Sequence, residues 1–421
     1  MDSTSSKDIK HGQLMYTLEA ALEYLISILV TGSFLATLTK ELGFSDSLTG
    51  ILSSIISLGC LFQMLSVFLR CRKVKNIVVI MSIVNQLLFM FLYVIPVIPI
   101  STKYKTVAFV ISIILAYLIY NFAHPKKINW LMSLVDDNYR GRFTANKEMI
   151  SLLLGMIFSY GMGTVVDYFT EKNEQRTAFI LSAIVIFLLM LLHTATMLLA
   201  PEPEGPSVSQ KSIKQSIGEV IGNPNIVRVI VIFVLYYVST YVATPFFGTY
   251  QINELEFSLK LISLLGILSS VVRIAVSRFW GAYADRTSFT NMIQKCLLIH
   301  GIGYLCVAFA VPANGIIMFA AYYILSGAAM GGINSALINL IFDYVSVDKR
   351  ADSLAISQAA SGLMGFLTTL AISPLISHIQ NNHNRFLGFN LYAQQVVSVI
   401  ALIITMITLF YIRVLKGKED N

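Results

Sequence analysis

Long apolar segments alternate with short polar breaks along the whole chain. Each apolar segment has the roughly 20 residues that a helix needs to span the hydrocarbon core of a bilayer. A helix also satisfies its own backbone hydrogen bonds, which lipid cannot do. The pattern therefore predicts twelve transmembrane helices, over residues 14–38, 46–69, 76–99, 106–134, 144–167, 177–199, 227–250, 259–282, 290–311, 314–342, 353–376 and 391–413.

The composition excludes a soluble protein. Of the 421 residues, 56% are hydrophobic and only 13% are charged, whereas a soluble domain has about 25% charged residues. A soluble protein that left so much apolar surface unburied would aggregate. The chain is therefore predicted to be an all-α integral membrane protein. The four cysteines form no CxxC pair and show no metal-ligand spacing, so free thiols are expected, without a metal or a cofactor.

The basic residues orient the predicted helices. With twelve spans, both termini lie on one side, and 22 of the 30 Lys and Arg residues fall on that side. Because inner loops carry the excess of Lys and Arg, both termini are predicted to be cytoplasmic, in a cell membrane such as the bacterial inner membrane. This distribution explains the net charge of +7 without a nucleic-acid partner.

The longest polar break divides the spans six and six. It covers residues 200–226, between an N-terminal half, 1–199, and a C-terminal half, 227–421. Its second part contains "SIKQSIGEVI", which is weakly amphipathic and predicts a helix along the inner membrane surface. A plain solvated linker is the alternative.

The two halves contain similar segments. The loop after span four has "DNYRGRFTANKEMISLLLG", and the loop after span ten has "VDKRADSLAISQAASGLMG". Aligning Arg140 with Arg350 also aligns Gly155 with Gly365. Internal repeats of this kind are typical of secondary transporters.

One short connection resembles a signature of the major facilitator superfamily. The segment after span eight is "GAYADRTSFTNMI", and its Gly281, Asp285 and Arg286 match the superfamily pattern G-x-x-x-D-R-x-G-[RK]-[RK]. Ser288 replaces the second glycine, and the trailing basic pair is missing. The "YRGR" sequence after span four is similar to the superfamily's basic loop at that point. The resemblance implies two pseudo-symmetric six-helix halves, complete as a monomer, that move a small molecule across the bilayer by alternating access.

The resemblance also implies a conformational latch. Asp285 would contact the start of span eleven, near Lys349 and Arg350, in one conformation and release it in the other. Arg140 and Arg142 hold the matching place in the first half. The glycine of the signature would allow two spans to approach closely. The alternative is a plain Asp-Arg turn that keeps the loop short.

Ionisable residues inside the spans are candidates for function, because they are costly to bury in lipid. Glu19 and Glu23 lie on one face of span one, four residues apart. Arg273 lies near the middle of span eight and needs a carboxylate from the protein or from the substrate, for which Glu23 is the candidate. Glu23, with Glu19, could couple transport to a proton, or Glu23 and Arg273 could form a fixed structural pair.

Span four contains "YNFAHPKKINWLMSL". Asn121 and His124 fall near its middle, and Pro125 is expected to interrupt the helix. His124 is a candidate proton relay or substrate contact. Lys126 and Lys127 are expected to snorkel towards the inner surface.

Further substrate-binding candidates come from other spans. Span seven contains several tyrosines, whose rings and hydroxyl groups suit a polar organic ligand. It also contains a proline, which predicts a bent helix. His193 has no neighbouring polar cluster in the sequence and is expected to be a packing residue. The remaining candidates are Tyr236, Tyr237, Asn334, Asn85 and Gln358.

These features favour a secondary transporter of a small polar or anionic organic solute, coupled to protons. An exporter of amphipathic compounds is the alternative, although "LLLGMIFSYGMG" in span five lacks the Pro of the superfamily's drug antiporters. No nucleotide-binding loop is present, so transport driven by ATP is not expected. No span has a metal-binding or nucleophile pattern typical of an intramembrane enzyme. A non-transporting sensor is a further possibility, since a fold alone does not establish function.

Overall fold

The structure, a computed structural model, describes residues 6–63, 73–136, 140–202, 213–344 and 350–419. It is almost entirely helical. Its α-helices are α1 (Ser6–Leu29), α2 (Gly32–Glu41), α3 (Asp46–Gln63), α4 (Lys75–Val94), α5 (Thr102–Met132), α6 (Arg140–Glu171), α7 (Gln175–Leu199), α8 (Ile213–Ile221), α9 (Pro224–Tyr241), α10 (Phe247–Thr249), α11 (Leu259–Arg286), α12 (Phe289–Ala308), α13 (Gly315–Tyr344), α14 (Arg350–Asn381) and α15 (Ala393–Glu419).

The twelve predicted spans are confirmed. Twelve helical segments in the described parts of the chain are long and apolar enough to cross a membrane. Many apolar side chains are also exposed: Ile157 is 74% exposed, Ile317 69% and Phe410 70%. Exposure on this scale fits a surface that faces lipid, since a soluble surface would be mostly polar.

Among the described residues, spans one and seven each contain more than one α-helix. The first consists of α1 and α2, which are separated at Thr31 and Gly32, where Gly32 has φ +54°. The seventh begins as α9 and continues through a 3-10 turn, Thr244–Phe246, into α10 and a π-turn, Tyr250–Glu254. The proline of the 3-10 turn lacks an N–H group and cannot continue the α-helical bonding. The bend expected in span seven is therefore an interruption of the helix.

Span four corrects a prediction. Pro125 was expected to interrupt it, but α5 is continuous from Thr102 to Met132 with Pro125 inside. A proline frees one backbone carbonyl four residues earlier, and membrane helices tolerate this where neighbouring groups satisfy that carbonyl. The side chains before and after Pro125 therefore stay in one helical register.

The chain forms two compact units. The first contains residues 1–44, 62–210 and 258–263, and the second contains 45–61, 211–257 and 264–421. In the first unit, α1 packs on α6 and α7, and α4 packs on α5 and α7. In the second unit, α12 packs on α13 and α15, and α9 packs on α14 and α15.

Each unit has a buried apolar core. The core of the first unit includes Tyr16, Val78, Trp130, Leu131 and Met197. The core of the second unit includes Trp280, Met292, Leu297, Ile333 and Ile341.

The segment after α7 is fastened to the start of α4. The Glu202 carboxylate accepts hydrogen bonds from the backbone N–H groups of Val74 and Lys75, at 2.5 and 2.9 Å. Lys75 in turn donates from Nζ to the carbonyl oxygens of Leu198 and Ala200, both at 2.7 Å. A carboxylate at a helix start and a cation at a helix end both match the helix dipole, so these contacts hold α4 and α7 together.

The amphipathic segment predicted in the linker forms α8. Its Val220 is 1% exposed and belongs to the core of the second unit, whereas Ile221 is 63% exposed. Between α14 and α15, two short strands, β1 (Arg385–Phe386) and β2 (Phe389–Asn390), pair antiparallel. Leu387 and Gly388 connect them with positive φ angles of 50° and 84°, as a tight hairpin turn requires.

Candidate functional site

Two glutamates and a lysine form a buried ion cluster in the first unit. Lys127 of α5 lies with its Nζ 2.8 Å from the Glu19 carboxylate of α1, and it also pairs with the Glu23 carboxylate. The side chains of Lys127 and Glu19 are only 4% and 2% exposed, whereas that of Glu23 is 21% exposed. One ammonium therefore bridges two carboxylates, and Glu23 is the carboxylate with access to the exterior of the unit.

Helix geometry explains how these side chains meet. Residues three and four apart share one face of a helix, so Glu19 and Glu23 project from α1 in the same direction. On α5, the same rule aligns Tyr120, His124 and Lys127. Because α5 is not broken at Pro125, Lys127 keeps this register.

His193 of α7 completes the cluster. Its Nε2 lies 3.1 Å from the Glu19 carboxylate and 3.7 Å from that of Glu23. Its Nδ1 lies 3.1 Å from Nε2 of Gln86, on α4. His193 is 0% exposed and Gln86 2% exposed. The cluster is therefore held by side chains from α1, α4, α5 and α7.

Aromatic side chains cover the Glu23 side of the cluster. The Tyr120 hydroxyl donates to the Glu23 carboxylate at 3.3 Å. The Tyr120 ring lies 5.1 Å from the His124 ring, and Lys127 Nζ lies 5.8 Å from the centre of the Tyr120 ring. Nδ1 of His124 is buried and has no hydrogen-bond partner among the described residues. His124 therefore packs on the ring whose hydroxyl binds Glu23, and Glu23 is the more exposed of the two carboxylates.

The arrangement is better satisfied by Lys127 than by a metal ion. Ligand atoms of Glu19, Glu23 and His193 lie within 4.8 Å of one another, which a metal could bridge. However, the Lys127 ammonium already pairs with both carboxylates. A metal ion there would have to displace a buried lysine, so the cluster is satisfied as a set of ion pairs.

The structure corrects two predictions about charged residues. The candidate partner of Glu23 was Arg273, but Glu23 pairs with Lys127 of its own unit. Lys127 was expected to snorkel, but it is 3% exposed. His193 was missed as a site residue, since the residues that contact it lie more than 100 positions away in the sequence. The signal available in the sequence was the Glu19 and Glu23 pair, which requires buried cations nearby.

Two amides predicted as substrate contacts have partners within the first unit. The Asn121 carbonyl oxygen accepts from the Gln63 amide at 3.0 Å, and the Asn121 amide donates to the Tyr117 carbonyl oxygen at 2.9 Å. Asn85 donates from its amide to the carbonyl oxygen of Ala116 at 2.8 Å, which links α4 to α5. These contacts give Asn85 a packing role in this conformation.

Arg273 lies in the second unit, on α11. Its side chain is half-buried, and its charge interacts with Tyr236 of α9. The Tyr236 hydroxyl lies 3.2 Å from Met330 Sδ, and Tyr237 stacks on Tyr241 with ring centres 5.7 Å apart. The predicted aromatic residues of span seven thus lie together, close to a cation. Of the other candidates in this unit, Gln358 is half-buried and Asn334 is exposed.

The predicted latch falls partly outside the described residues. Lys349 lies outside them, and Arg140 and Arg350 are described only as the first residues of α6 and α14. Asp285 and Arg286 are exposed at the end of α11, and Arg142 is also exposed. Within the described part of the chain, no atom lies within 4 Å of a Cβ placed on Gly281. The close approach expected at this glycine is therefore absent there, because α11 is open to its surroundings at Gly281.

Comparison with known proteins decides the family. A model of the Major Facilitator Superfamily matches residues 20–369. The chain belongs to this superfamily. It is a multi-pass membrane protein and a secondary transporter, not an enzyme.

Solved structures of transporters have the same fold. The nucleoside transporter NupG aligns with a TM-score of 0.70 and 11% identity, over 96% of this chain and 98% of that one. A D-xylose-proton symporter aligns with a TM-score of 0.69 and 16% identity, over 95% and 97%. A bacterial homologue of the iron transporter ferroportin aligns with a TM-score of 0.69 and 12% identity, over 96% and 100%. Identities this low show the fold and not the substrate. No curated protein sequence matches the chain.

Proposed function

We propose that this transporter moves a small polar or anionic organic solute across the membrane by alternating access, and that protons drive the movement. The observation that carries the proposal is the buried cluster of Glu19, Glu23 and Lys127. Ionisable side chains inside a membrane helix mark proton and substrate pathways. The D-xylose-proton symporter, which has the same fold, is named for this kind of coupling.

The cluster suits proton coupling because its charge balance depends on protonation. With both carboxylates charged, one ammonium and His193 face two negative charges. Protonation of Glu23 would remove one of them and weaken its attraction to Lys127, which leaves the ammonium bound mainly to Glu19. Since a buried ion without a partner costs several kcal/mol, of order 3–5, the proton and the Lys127 contact depend on each other. Glu19 and His124 are the other groups that could pass the proton on.

The anionic part of the proposal is supported by Arg273. It is a permanent cation in a half-buried position beside Tyr236. A guanidinium binds a carboxylate through two parallel hydrogen bonds, and tyrosine rings with hydroxyl tips suit polar organic ligands. In the first unit, His124 is the candidate polar contact, since its Nδ1 has no hydrogen-bond partner among the described residues. We also propose cytoplasmic termini and a cell-membrane location, as the distribution of Lys and Arg favours.

The first test is a thermal-shift screen of the detergent-purified protein. Sugars, sugar acids, amino acids, carboxylates and cationic dyes would be added at about pH 5.5 and 7.5, because a ligand that binds only the folded state raises its stability. A carboxylate that stabilises the wild type but not Arg273→Ala supports the anionic solute. Arg278→Ala, an exposed arginine on the same helix, is the matched control and should keep the shift.

The second test uses the ligand found in this screen. Uptake into proteoliposomes would be measured with and without an inward proton gradient, for the wild type and for Glu23→Gln. Faster uptake with the gradient, lost in Glu23→Gln while exchange of solute persists, supports proton coupling through this cluster. Uptake at the same rate with and without the gradient would contradict proton coupling. Stabilisation by cationic dyes alone, kept in Arg273→Ala, would instead support the exporter.

A further inference from the structure

One buried acceptor beside the ion cluster has no hydrogen-bond partner among the described residues. Gln86 is 2% exposed, and its Nε2 lies 3.1 Å from Nδ1 of His193. Its carbonyl oxygen Oε1 is buried and has no hydrogen-bond partner among the described residues. A buried acceptor without a hydrogen bond costs about 1–3 kcal/mol, so this amide is not in the arrangement that would satisfy both of its ends.

With the Gln86 amide in this orientation, the contact fits a neutral His193. An amide N–H can only donate, so Nδ1 of His193 accepts and carries no proton. The imidazole is then neutral with its proton on Nε2, where it donates to the Glu19 carboxylate at 3.1 Å. Because the two ends of a Gln amide have nearly the same shape, a half-turn of the Gln86 amide would place Oε1 on Nδ1 instead. That orientation requires a proton on Nδ1 and therefore an imidazolium.

The net charge of the cluster favours a protonated His193. Glu19 and Glu23 supply two negative charges and Lys127 supplies one positive charge, so a neutral His193 leaves one negative charge in excess. An imidazolium at His193 balances the cluster, and both of its N–H groups then have acceptors, Glu19 on one side and Gln86 on the other. Buried charges are stable only when they are paired and hydrogen-bonded in this way.

We propose that His193 takes up and releases a proton at Nδ1 and that the Gln86 amide turns to match each state. The step takes one proton from solution, forms one N–H bond at Nδ1 and breaks no bond in the protein. The inference deepens the proposed proton coupling and rests on it for its role in transport. It adds two residues, since Glu19, Glu23 and His124 were the predicted proton carriers.

The titratable and polar groups in and beside the cluster come from four helices. Tyr16, Glu19 and Glu23 lie on α1, and Tyr120, His124 and Lys127 lie on α5. From α6, Lys147 contacts the Tyr16 hydroxyl at 3.3 Å, and α4 contributes Gln86. Among these groups, Gln86 is the partner of Nδ1, whereas the carboxylates face Nε2. A change at Gln86 therefore acts on one nitrogen of the ring and leaves the ion pairs in place.

The test is a pH titration of the full-length protein by nitrogen NMR, with 15N-labelled histidine in nanodiscs. The chain has six histidines, and the signals that disappear in His193→Gln identify His193. A neutral imidazole gives two different ring-nitrogen signals, and an imidazolium gives two similar ones. We expect His193 to pass from the first form to the second as the pH falls. A ring that keeps one form at every pH would refute the proposal.

Substitution of Gln86 tests the role of its amide. Gln86→Met removes a hydrogen bond from both forms of His193, but the bond to the charged imidazolium is the stronger of the two, by an amount that corresponds to about a tenfold change in an equilibrium. The ratio of imidazolium to neutral imidazole should therefore fall about tenfold at the same pH. Gln86→Glu places a carboxylate on Nδ1 and should raise this ratio. Gln63→Met is the control, because the Gln63 amide contacts Asn121.

The two variants should therefore move the titration in opposite directions. Equal ratios in Gln86→Met, Gln86→Glu and the wild type would overturn the role of Gln86. The same holds if Gln63→Met changes the ratio as much as Gln86→Met. The NMR result is independent of transport. A normal titration of His193 together with uptake that ignores the proton gradient would contradict the proposed coupling and not the protonation of His193.

Discussion

The ammonium of Lys127 lies 2.8 Å from the carboxylate of Glu19, and neither side chain is more than 4% exposed. The same ammonium also pairs with Glu23. Taking ions out of water costs several kcal/mol each, so each of these three side chains depends on the others. The cluster is therefore the part of the first unit where a single substitution should have the largest electrostatic effect.

Lys127→Met should strongly destabilise the protein. It removes the cation from two carboxylates while keeping a long apolar side chain of similar size. Breaking a buried pair on one side costs about 3–5 kcal/mol, which thermal unfolding of the detergent-purified protein would detect. Lys126→Met is the matched control, because Lys126 is the neighbouring residue and is only partly buried.

A variant without any of the charges provides the second comparison. Replacing both glutamates with Gln together with Lys127→Met removes all three ions, and a large part of the lost stability should return. If Lys127→Met unfolds at the same temperature as Lys126→Met, the buried ion pairs do not stabilise the protein.

Gly327→Ala should destabilise the packing of α13 on α11 in the second unit. A Cβ at residue 327 would lie 2.3 Å from the backbone carbonyl oxygen of Ser269, which cannot rotate away as a side chain can. Overpacking of this kind costs about 1–3 kcal/mol. In Gly266→Ala the new Cβ meets no described atom within 4 Å. Thermal unfolding of the two alanine variants would test this, and equal melting temperatures would contradict the close contact.

Asp167 of α6 caps the start of α11. Its carboxylate accepts from the backbone N–H groups of Leu259 and Lys260 at 2.9 and 2.7 Å. Asp167→Ala should therefore lower stability by about 1 kcal/mol, in the range 0.5–2 that is usual for helix caps. Glu171→Ala, at the exposed end of the same helix, should have a smaller effect on thermal unfolding. Equal melting temperatures for Asp167→Ala and Glu171→Ala would show that the cap is not needed for stability.

The spans were predictable from the sequence because a helix that crosses lipid needs about 20 apolar residues, whichever helices pack beside it. The pair of Glu19 and Glu23 was predictable from helix periodicity. Their partners were not. Lys127 follows Lys126, and the sequence does not show which of the two faces α1. His193 is 174 residues from Glu19, so only the packing of α7 on α1 brings them together.

The break in span one and the continuity of span four illustrate the same limit. Gly32 takes φ +54°, a conformation that Gly adopts readily, yet many glycines lie inside helices. Pro125 lies inside α5, although proline usually ends a helix in water. In both cases the outcome depends on whether neighbouring helices satisfy the backbone, and hydropathy contains no information about this.

Asp46 provides the last prediction, at the start of α3. Its Oδ1 accepts from the Asn253 amide at 2.7 Å, and its Oδ2 accepts from the amides of Gln380 and Gln394 at 2.9 and 2.8 Å. Asp46 is 5% exposed, and a carboxylate is the side chain of this size that only accepts. Asp46→Asn keeps the volume but turns an N–H group towards at least one amide donor. Hydrogen bonds to a charged group contribute about 1.5–3 kcal/mol, so thermal unfolding should occur at a clearly lower temperature than in the wild type. Glu41→Gln, an exposed carboxylate nearby in the sequence, is the control. A melting temperature unchanged by Asp46→Asn would mean that the three amides do not need the carboxylate, and that apolar packing holds the start of α3 in place.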